Sequence, residues 1–186
     1  MEKELKFEKE THIYSVGNKK VPSVSEIVQE VVGLPYVADE WYMQRGSAIH
    51  RALSLYIQGR LDEKSVDERI RQYVENGKKA IKDLSLVPTL VEVPLYHKTL
   101  NFAGTPDLLS DTILVDYKTN HSGNTPIQLG GYILLLEDNK MNVKKAYEIS
   151  LEGSMYSLVE FKVSRCKSLF ISCLNIYNWK RGKEAR

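Results

Sequence analysis

Two hydrophobic periods alternate along this chain. Leu5 to Val21 reads as a β-hairpin, with Ile13, Ser15 and Val16 leading into a Gly17-Asn18 turn and Lys19-Lys20 following it. Ser23 and Glu26 have the spacing of a capping box, and Ile27, Val28, Val31 and Val32 supply the apolar stripe of a short helix that Gly33 and Pro35 end. From about Asp39 to Gln58, Ile49, Ala52, Leu53 and Tyr56 recur at i, i+3, i+4 and i+7, the buried face of an amphipathic helix. Val66, Ile70, Tyr73, Val74, Ala80 and Ile81 predict another.

The pattern changes near Pro88. Leu90 to Tyr96, Leu100 to Leu109 and Thr112 to Lys118 are β-type segments between turn residues, which predicts a three-stranded meander. Thr125 before Pro126 is a cap followed by a proline suited to the first helical turn, and this helix runs to about Glu137, apolar on most sides and therefore buried. Val143 to Leu151 and Met155 to Val163 flank Glu152-Gly153-Ser154 as a second hairpin. Arg165 to Trp179 closes the chain as a helix with Cys166, Leu169, Phe170, Cys173, Leu174 and Tyr177 inward. No repeat, linker or low-complexity tract interrupts the order, so residues 1–186 are expected to form one α/β domain.

Composition narrows the class. A domain of 186 residues buries roughly 70% of its unfolded surface, enough to need neither a disulfide nor a structural metal. Any metal is then there for chemistry. Lys and Arg number 26 against 24 Asp and Glu, and a net charge of +2 is too small to announce a polyanionic partner by bulk electrostatics. Cys166 and Cys173 belong to no CxxC pair and read as core thiols in a reducing compartment. The charged first residues do not resemble a signal peptide, and the longest apolar run, Tyr132 to Leu136, is far short of the roughly 20 residues a bilayer demands; a cytoplasmic, non-membrane protein is expected.

The candidate chemistry lies in Gly104-Thr105-Pro106-Asp107 and Val115-Asp116-Tyr117-Lys118. Strand alternation puts Asp116 and Lys118 on one face with Leu114, and Ile113, Val115 and Tyr117 on the other. A turn near Ser110-Asp111 folds the preceding strand back, so that Asp107 and Asp116 approach one point. Two close carboxylates repel unless a hard divalent cation takes their oxygens, which points to Mg²⁺ or Mn²⁺. Such an ion beside an ammonium is equipment for hydrolysing a phosphodiester, a reaction whose barrier must fall by towards roughly 20 kcal/mol.

Four features in order, Gly46-Ser47-Ala48-Ile49-His50, Pro106-Asp107, Asp116-Tyr117-Lys118 and Gln128-Leu129-Gly130-Gly131-Tyr132, cover about half of the chain. They are similar to the GxxxH, PD, (D/E)xK and QxxxY signatures of the PD-(D/E)XK nuclease superfamily, in its RecB-like, phage-type exonuclease branch. The resemblance implies a restriction-endonuclease-like core, a mixed central sheet flanked by helices, with the N-terminal hairpin and helices as additions. It implies a Mg²⁺- or Mn²⁺-dependent exonuclease acting on DNA in phage or bacterial recombination and repair, with a single-strand annealing protein or a helicase as companion. By the same resemblance Asp107, Asp116 and His50 are metal ligands, the Tyr117 carbonyl completes the shell, Lys118 is the catalytic lysine, and Gln128 and Tyr132 contact the nucleic acid or brace the site. Relatives linked to helicases or to CRISPR adaptation often carry four cysteines for an iron-sulfur cluster; two cysteines on one helix depart from that pattern, so no cluster is expected. A binding subunit with this fold but little turnover, and an endonuclease of the same superfamily, are the alternatives.

Other residues leave two readings open. Glu92 is a further metal ligand or an exposed glutamate near a strand end marked by Pro94. Arg45 grips a phosphate or lies on the surface. Gly130 and Gly131 imply a close approach, either of the nucleic acid or of the sheet under the helix. Tyr36, Trp41, Tyr42 and Tyr56 offer stacking surfaces or fill the core, and Lys180, Arg181, Lys183 and Arg186 track a backbone or form a solvated tail. His12, His97 and His121 match no signature and are expected in solvent.

Overall fold

The computed structural model describes residues 4–9, 11–33, 40–120 and 123–184. The chain opens with three strands, β1 (Leu5–Glu8), β2 (Ile13–Val16) and β3 (Lys19–Val21), paired antiparallel in that order. The expected hairpin is therefore a three-stranded arm. Gly17, at φ 60°, makes the anticipated turn, whereas the earlier turn has no glycine and uses His12 at φ 55° instead. Nothing in the local composition announced it.

Helix α1 (Val24–Val32) begins as its capping box requires: the Ser23 hydroxyl accepts from the Glu26 amide at 2.9 Å. Gly33, at φ 81°, ends it, and Pro35 lies outside the described residues. Helix α2 (Glu40–Ile57) follows, and after a 3-10 turn at Glu63–Ser65 comes α3 (Glu68–Asp83).

The expected meander is corrected in one respect. Each of its first two segments breaks in the middle, giving β4 (Pro88–Val91) and β5 (Leu95–His97), then β6 (Phe102–Gly104) and β7 (Leu108–Ser110), followed by an unbroken β8 (Ile113–Lys118). The breaks fall at Glu92, whose φ is 51°, and at Thr105 to Asp107, and a proline lies at each, Pro94 and Pro106. Proline has no N–H to give a ladder, so the strands part there. The outer halves pair as a separate β5-β6 ribbon, while β4 and β7 remain in the main sheet.

After β8 come α4 (Thr125–Asp138), β9 (Lys145–Ser150), β10 (Ser157–Phe161) and α5 (Val163–Glu184). The main sheet has the order β10-β9-β8-β7-β4, with β9 parallel to β8 through the α4 crossover and the other pairs antiparallel. One sheet face, with Leu109, Leu114 and Ala146, packs into a core with residues of α1, α4 and α5; the other, with Leu108, Val115 and Ile149, packs with residues of α2 and α3. The architecture is the mixed α/β one that was expected.

Helix α4 is capped one residue earlier than predicted, with Asn124 at the N-cap and Thr125 as its first residue. Its paired glycines answer to neighbouring helices. A methyl group on Gly130 would strike the Cys166 carbonyl of α5, and one on Gly131 would press on Phe170 and on Val24 of α1. The close neighbour is thus α5, neither sheet nor ligand. Cys166 and Cys173 are buried in that same core. Beyond Trp179, α5 continues and binds α1: Lys180 Nζ donates to the Glu30 carbonyl at 2.7 Å, and Arg181 donates to the Tyr177 hydroxyl, which donates to Glu26. Lys180 and Arg181 are fasteners, while the side chains of Lys183 and Arg186 lie outside the described residues. Among the described residues no helix is long and apolar enough to cross a membrane.

Candidate active site

The two strand breaks place the site. At the first, the Glu92 amide donates to the Asp107 carbonyl at 3.1 Å, joining the broken ends of β4 and β7. At the second, the Asp107 side chain turns inward, and its Oδ2 accepts from the Tyr117 amide of β8 at 2.8 Å. That bond leaves Oδ1 pointing to α2, where His50 Nδ1 lies 3.2 Å away; the same nitrogen is 3.5 Å from Glu92 Oε1. His50, Glu92 and Asp107 each present a ligand atom within 4.8 Å of the others. Glu92 is thus turned into the site, at a backbone angle that most residues avoid.

Asp116 and Lys118 share a face of β8, as strand alternation requires. Asp116 is only 1% exposed, and Lys118 Nζ lies 2.7 Å from its Oδ2. The same ammonium donates to Gln128 Oε1 at 2.8 Å, and Gln128 Nε2 donates to the Tyr132 hydroxyl at 2.8 Å. Gln128 and Tyr132 sit one turn apart on α4, which explains how both reach β8. The expected ligand group of His50, Asp107 and Asp116 is therefore divided: His50 and Asp107 gather with Glu92, and Asp116 turns to Lys118.

Electrostatics follow from this partition. Burial disfavours charge on His50, but the Asp107 and Glu92 carboxylates outweigh it and hold the imidazole well above the ordinary histidine range. Burial likewise works against the Asp107 carboxylate, and the His50 charge beside it draws its pKa below the usual value. Burial lifts Glu92, with His50 opposing. Asp116 is pushed up to about 6 by burial despite the Lys118 ammonium. Burial works against Lys118 too, but Asp116 and Asp107 hold its pKa above the usual lysine value. The donors fit a divalent cation: an imidazole nitrogen and carboxylate oxygens converge, and their field already favours positive charge at His50.

These groups line one cleft of about 850 Å³, together with Gln128 and Tyr132. Arg45 does not line it. Its guanidinium lies over the rings of Tyr42 and Tyr73 and donates to the Tyr73 hydroxyl at 3.2 Å and to Asn120 Oδ1 at 3.1 Å, so it braces the segment that follows Lys118. Arg69 lies over Trp41 and Lys78 over Tyr56, and Trp41, Tyr42 and Tyr56 stay out of the cleft. Tyr36 and His121 lie outside the described residues. Of the histidines expected in solvent, His97 is instead held by the protein, and His12 is exposed as expected. His97 accepts from the Leu100 amide at 3.3 Å and packs on Phe102, fastening the β5-β6 turn. His12 borders the cleft.

Sequence reasoning missed Glu148. It is 1% exposed on β9, directly opposite Asp116 in the parallel register. Its alternation with Ala146 and Ser150 placed it on that sheet face, but only the crossover through α4 brings β9 beside β8. Arg51, next to His50 and in the cleft wall, was also passed over.

No family model matches the sequence, and no curated protein matches it. Among solved structures, a candidate exonuclease from Eubacterium rectale is similar over 83% of this chain and 71% of its own, at 10% identity and a TM-score of 0.50. LHK-Exo in complex with dAMP aligns over 89% and 93% at 12% identity and a TM-score of 0.40, and the alkaline exonuclease LHK-Exo from Laribacter hongkongensis over 88% and 92% at 14% identity and 0.35. The first likeness is one of fold, the mixed sheet flanked by helices that was expected.

Proposed function

We propose that this chain is a metal-dependent deoxyribonuclease, an exonuclease that hydrolyses DNA phosphodiester bonds in phage or bacterial recombination and repair. One observation carries the reading: His50, Glu92 and Asp107 bring their ligand atoms within 4.8 Å of one another in the cleft that Lys118 also lines. His50, Glu92 and Asp107 would hold Mg²⁺ or Mn²⁺, with Asp116 and the Tyr117 carbonyl as the remaining ligands. The ion, when bound, polarises the scissile phosphoryl group and acidifies a water.

The chain's own groups do the rest. Lys118 stays protonated because Asp116 and Asp107 outweigh its burial. Its ammonium orients the attacking water and opposes the charge that grows on the phosphoryl oxygens, in a site where a fixed charge acts more strongly than in water. Gln128 holds that ammonium, and Tyr132 holds Gln128. Asp107 keeps His50 oriented through Oδ1 while the Tyr117 amide fixes Oδ2.

Incubation of labelled linear and circular DNA with Mg²⁺, Mn²⁺ or EDTA tests the proposal. Shortening of linear DNA from its ends with either metal, and none in EDTA, is the expected result. Binding without metal-dependent cleavage would overturn it in favour of a binding subunit, and nicking of closed circles would turn the assignment to an endonuclease.

A further inference from the structure

The cleft has two walls outside the catalytic groups. One belongs to α2, through Ser47, Arg51 and Ser54; the other belongs to the N-terminal arm, through Phe7, Lys9 and His12. The arm's wall is aromatic. Phe7 is half-buried, and its ring stacks on Tyr14 with centroids 4.5 Å apart and planes 20° apart. His12 stands at right angles to both rings, 5.3 Å from Phe7 and 5.5 Å from Tyr14. Tyr14 is 1% exposed, so the group offers its Phe7 and His12 surfaces to the cleft.

This wall is fastened to the catalytic strands. The Tyr14 and Thr105 hydroxyls share a hydrogen bond at 2.7 Å, and Thr105 stands two residues before Asp107. The Ala103 amide donates to the Pro22 carbonyl at 2.9 Å, tying the end of the arm to β6. The aromatic surface therefore keeps a set position relative to the carboxylates. Lys9 on the arm and Arg51 on α2 are exposed and line the cleft, and neither makes a hydrogen bond or ion pair among the described residues. A cleft of about 850 Å³ falls in the size class of small-molecule sites and has room for a nucleotide or two of one strand.

We propose that the N-terminal arm and α2 clamp one unpaired DNA strand, a base stacking on Phe7 with its edge against His12 while Lys9 and Arg51 hold neighbouring phosphates. This rests on the nuclease reading and gives it a substrate form: single-stranded or frayed ends in preference to blunt duplex. Inside a duplex both faces of a base are covered by its neighbours, and a strand can enter the cleft from blunt DNA only after the end has opened, at a cost in stacking and pairing.

The test measures binding of fluorescent oligonucleotides in EDTA, with 2-aminopurine at the terminal position reporting stacking. The wild-type protein is expected to quench the probe and to bind single strands at least about tenfold more tightly than blunt duplex. Phe7→Leu and His12→Asn should each weaken binding of the single strand by roughly tenfold and relieve the quenching. Asparagine tolerates the left-handed backbone at position 12, so this variant carries the test even where Phe7→Leu melts early. Arg51→Gln should flatten the dependence of log affinity on log salt by about 0.7. An unquenched probe, equal affinity for both DNA forms, or a His12→Asn variant that binds like wild type would overturn the clamp. Quenching without cleavage in Mg²⁺ or Mn²⁺ overturns the nuclease reading and leaves the clamp standing; cleavage without quenching does the reverse.

Discussion

Asp107, just before β7, and Asp116, on the neighbouring β8, are both buried carboxylates, yet their surroundings drive them apart. Asp107 meets His50 on one oxygen and a backbone amide on the other, and its pKa falls below the usual value. Asp116, almost wholly buried, has the Lys118 ammonium close by and is pushed up to about 6. The difference is one of partners rather than of depth. A buried carboxylate stays ionised when donors surround it and drifts towards its acid when they are too few to repay its desolvation. The region around Asp107 is built to hold positive charge, and the region around Asp116 is built to hold a lysine.

The largest test of this division is Lys118→Ala. Cleavage should drop by about 10³-fold or more in kcat, with folding and Mn²⁺ binding largely kept, because Lys118 offers the ion no ligand and His50, Glu92 and Asp107 stay in place. Single-turnover assays beside a Mn²⁺ titration check this, and full activity in the variant would break the assignment. Asp107→Asn strikes the other side and should weaken Mn²⁺ binding by about 100-fold, read by calorimetry, with cleavage falling alongside. Gln128→Ala removes only the support of Lys118. A loss of roughly tenfold in kcat, with KM little changed, is expected, and an unchanged kcat would mean that Asp116 alone holds the ammonium.

Smaller in effect, the stability profile in EDTA separates the two carboxylates by sign. A carboxylate raised in the folded state favours folding when protonated, so Asp116 withdraws stability as pH rises from about 4 to about 6. Asp107, depressed in the folded state, contributes stability that is lost as pH falls through its folded pKa. Melting curves of Asp116→Asn should show a smaller decline between pH 4 and 6, the remainder coming from Glu92, which burial also lifts, whereas those of Asp107→Asn should retain most of it.

How much of this was legible beforehand differs residue by residue. The pairing of Asp116 with Lys118 was readable, because a strand turns alternate side chains the same way whatever surrounds it. The return of Asp107 to the same neighbourhood was readable from one short turn. The glycines at 130 and 131 signalled a close approach without saying by what, since the Cys166 carbonyl and Phe170 belong to a helix far along the chain. Glu92 keeps two readings in sequence because its direction depends on a left-handed backbone and a broken strand, not on the alternation of its neighbours. Arg45 and Arg51 look alike in sequence; contacts with Tyr42, Tyr73 and Asn120 hold the first out of the cleft.

By itself the amino-acid order determined what local physics controls: where helices begin and end, which strand residues share a face, and that an acid and an amine stand together on β8. Tertiary structure decided who stands opposite. His50 reaches Asp107 because α2 packs across one face of the sheet, and Glu148 faces Asp116 because α4 carries the chain over to a parallel strand. Periodicity repeats within a few residues and can be read from them, whereas a meeting between distant segments costs chain entropy and forms only where the packed core of the whole chain compensates for it.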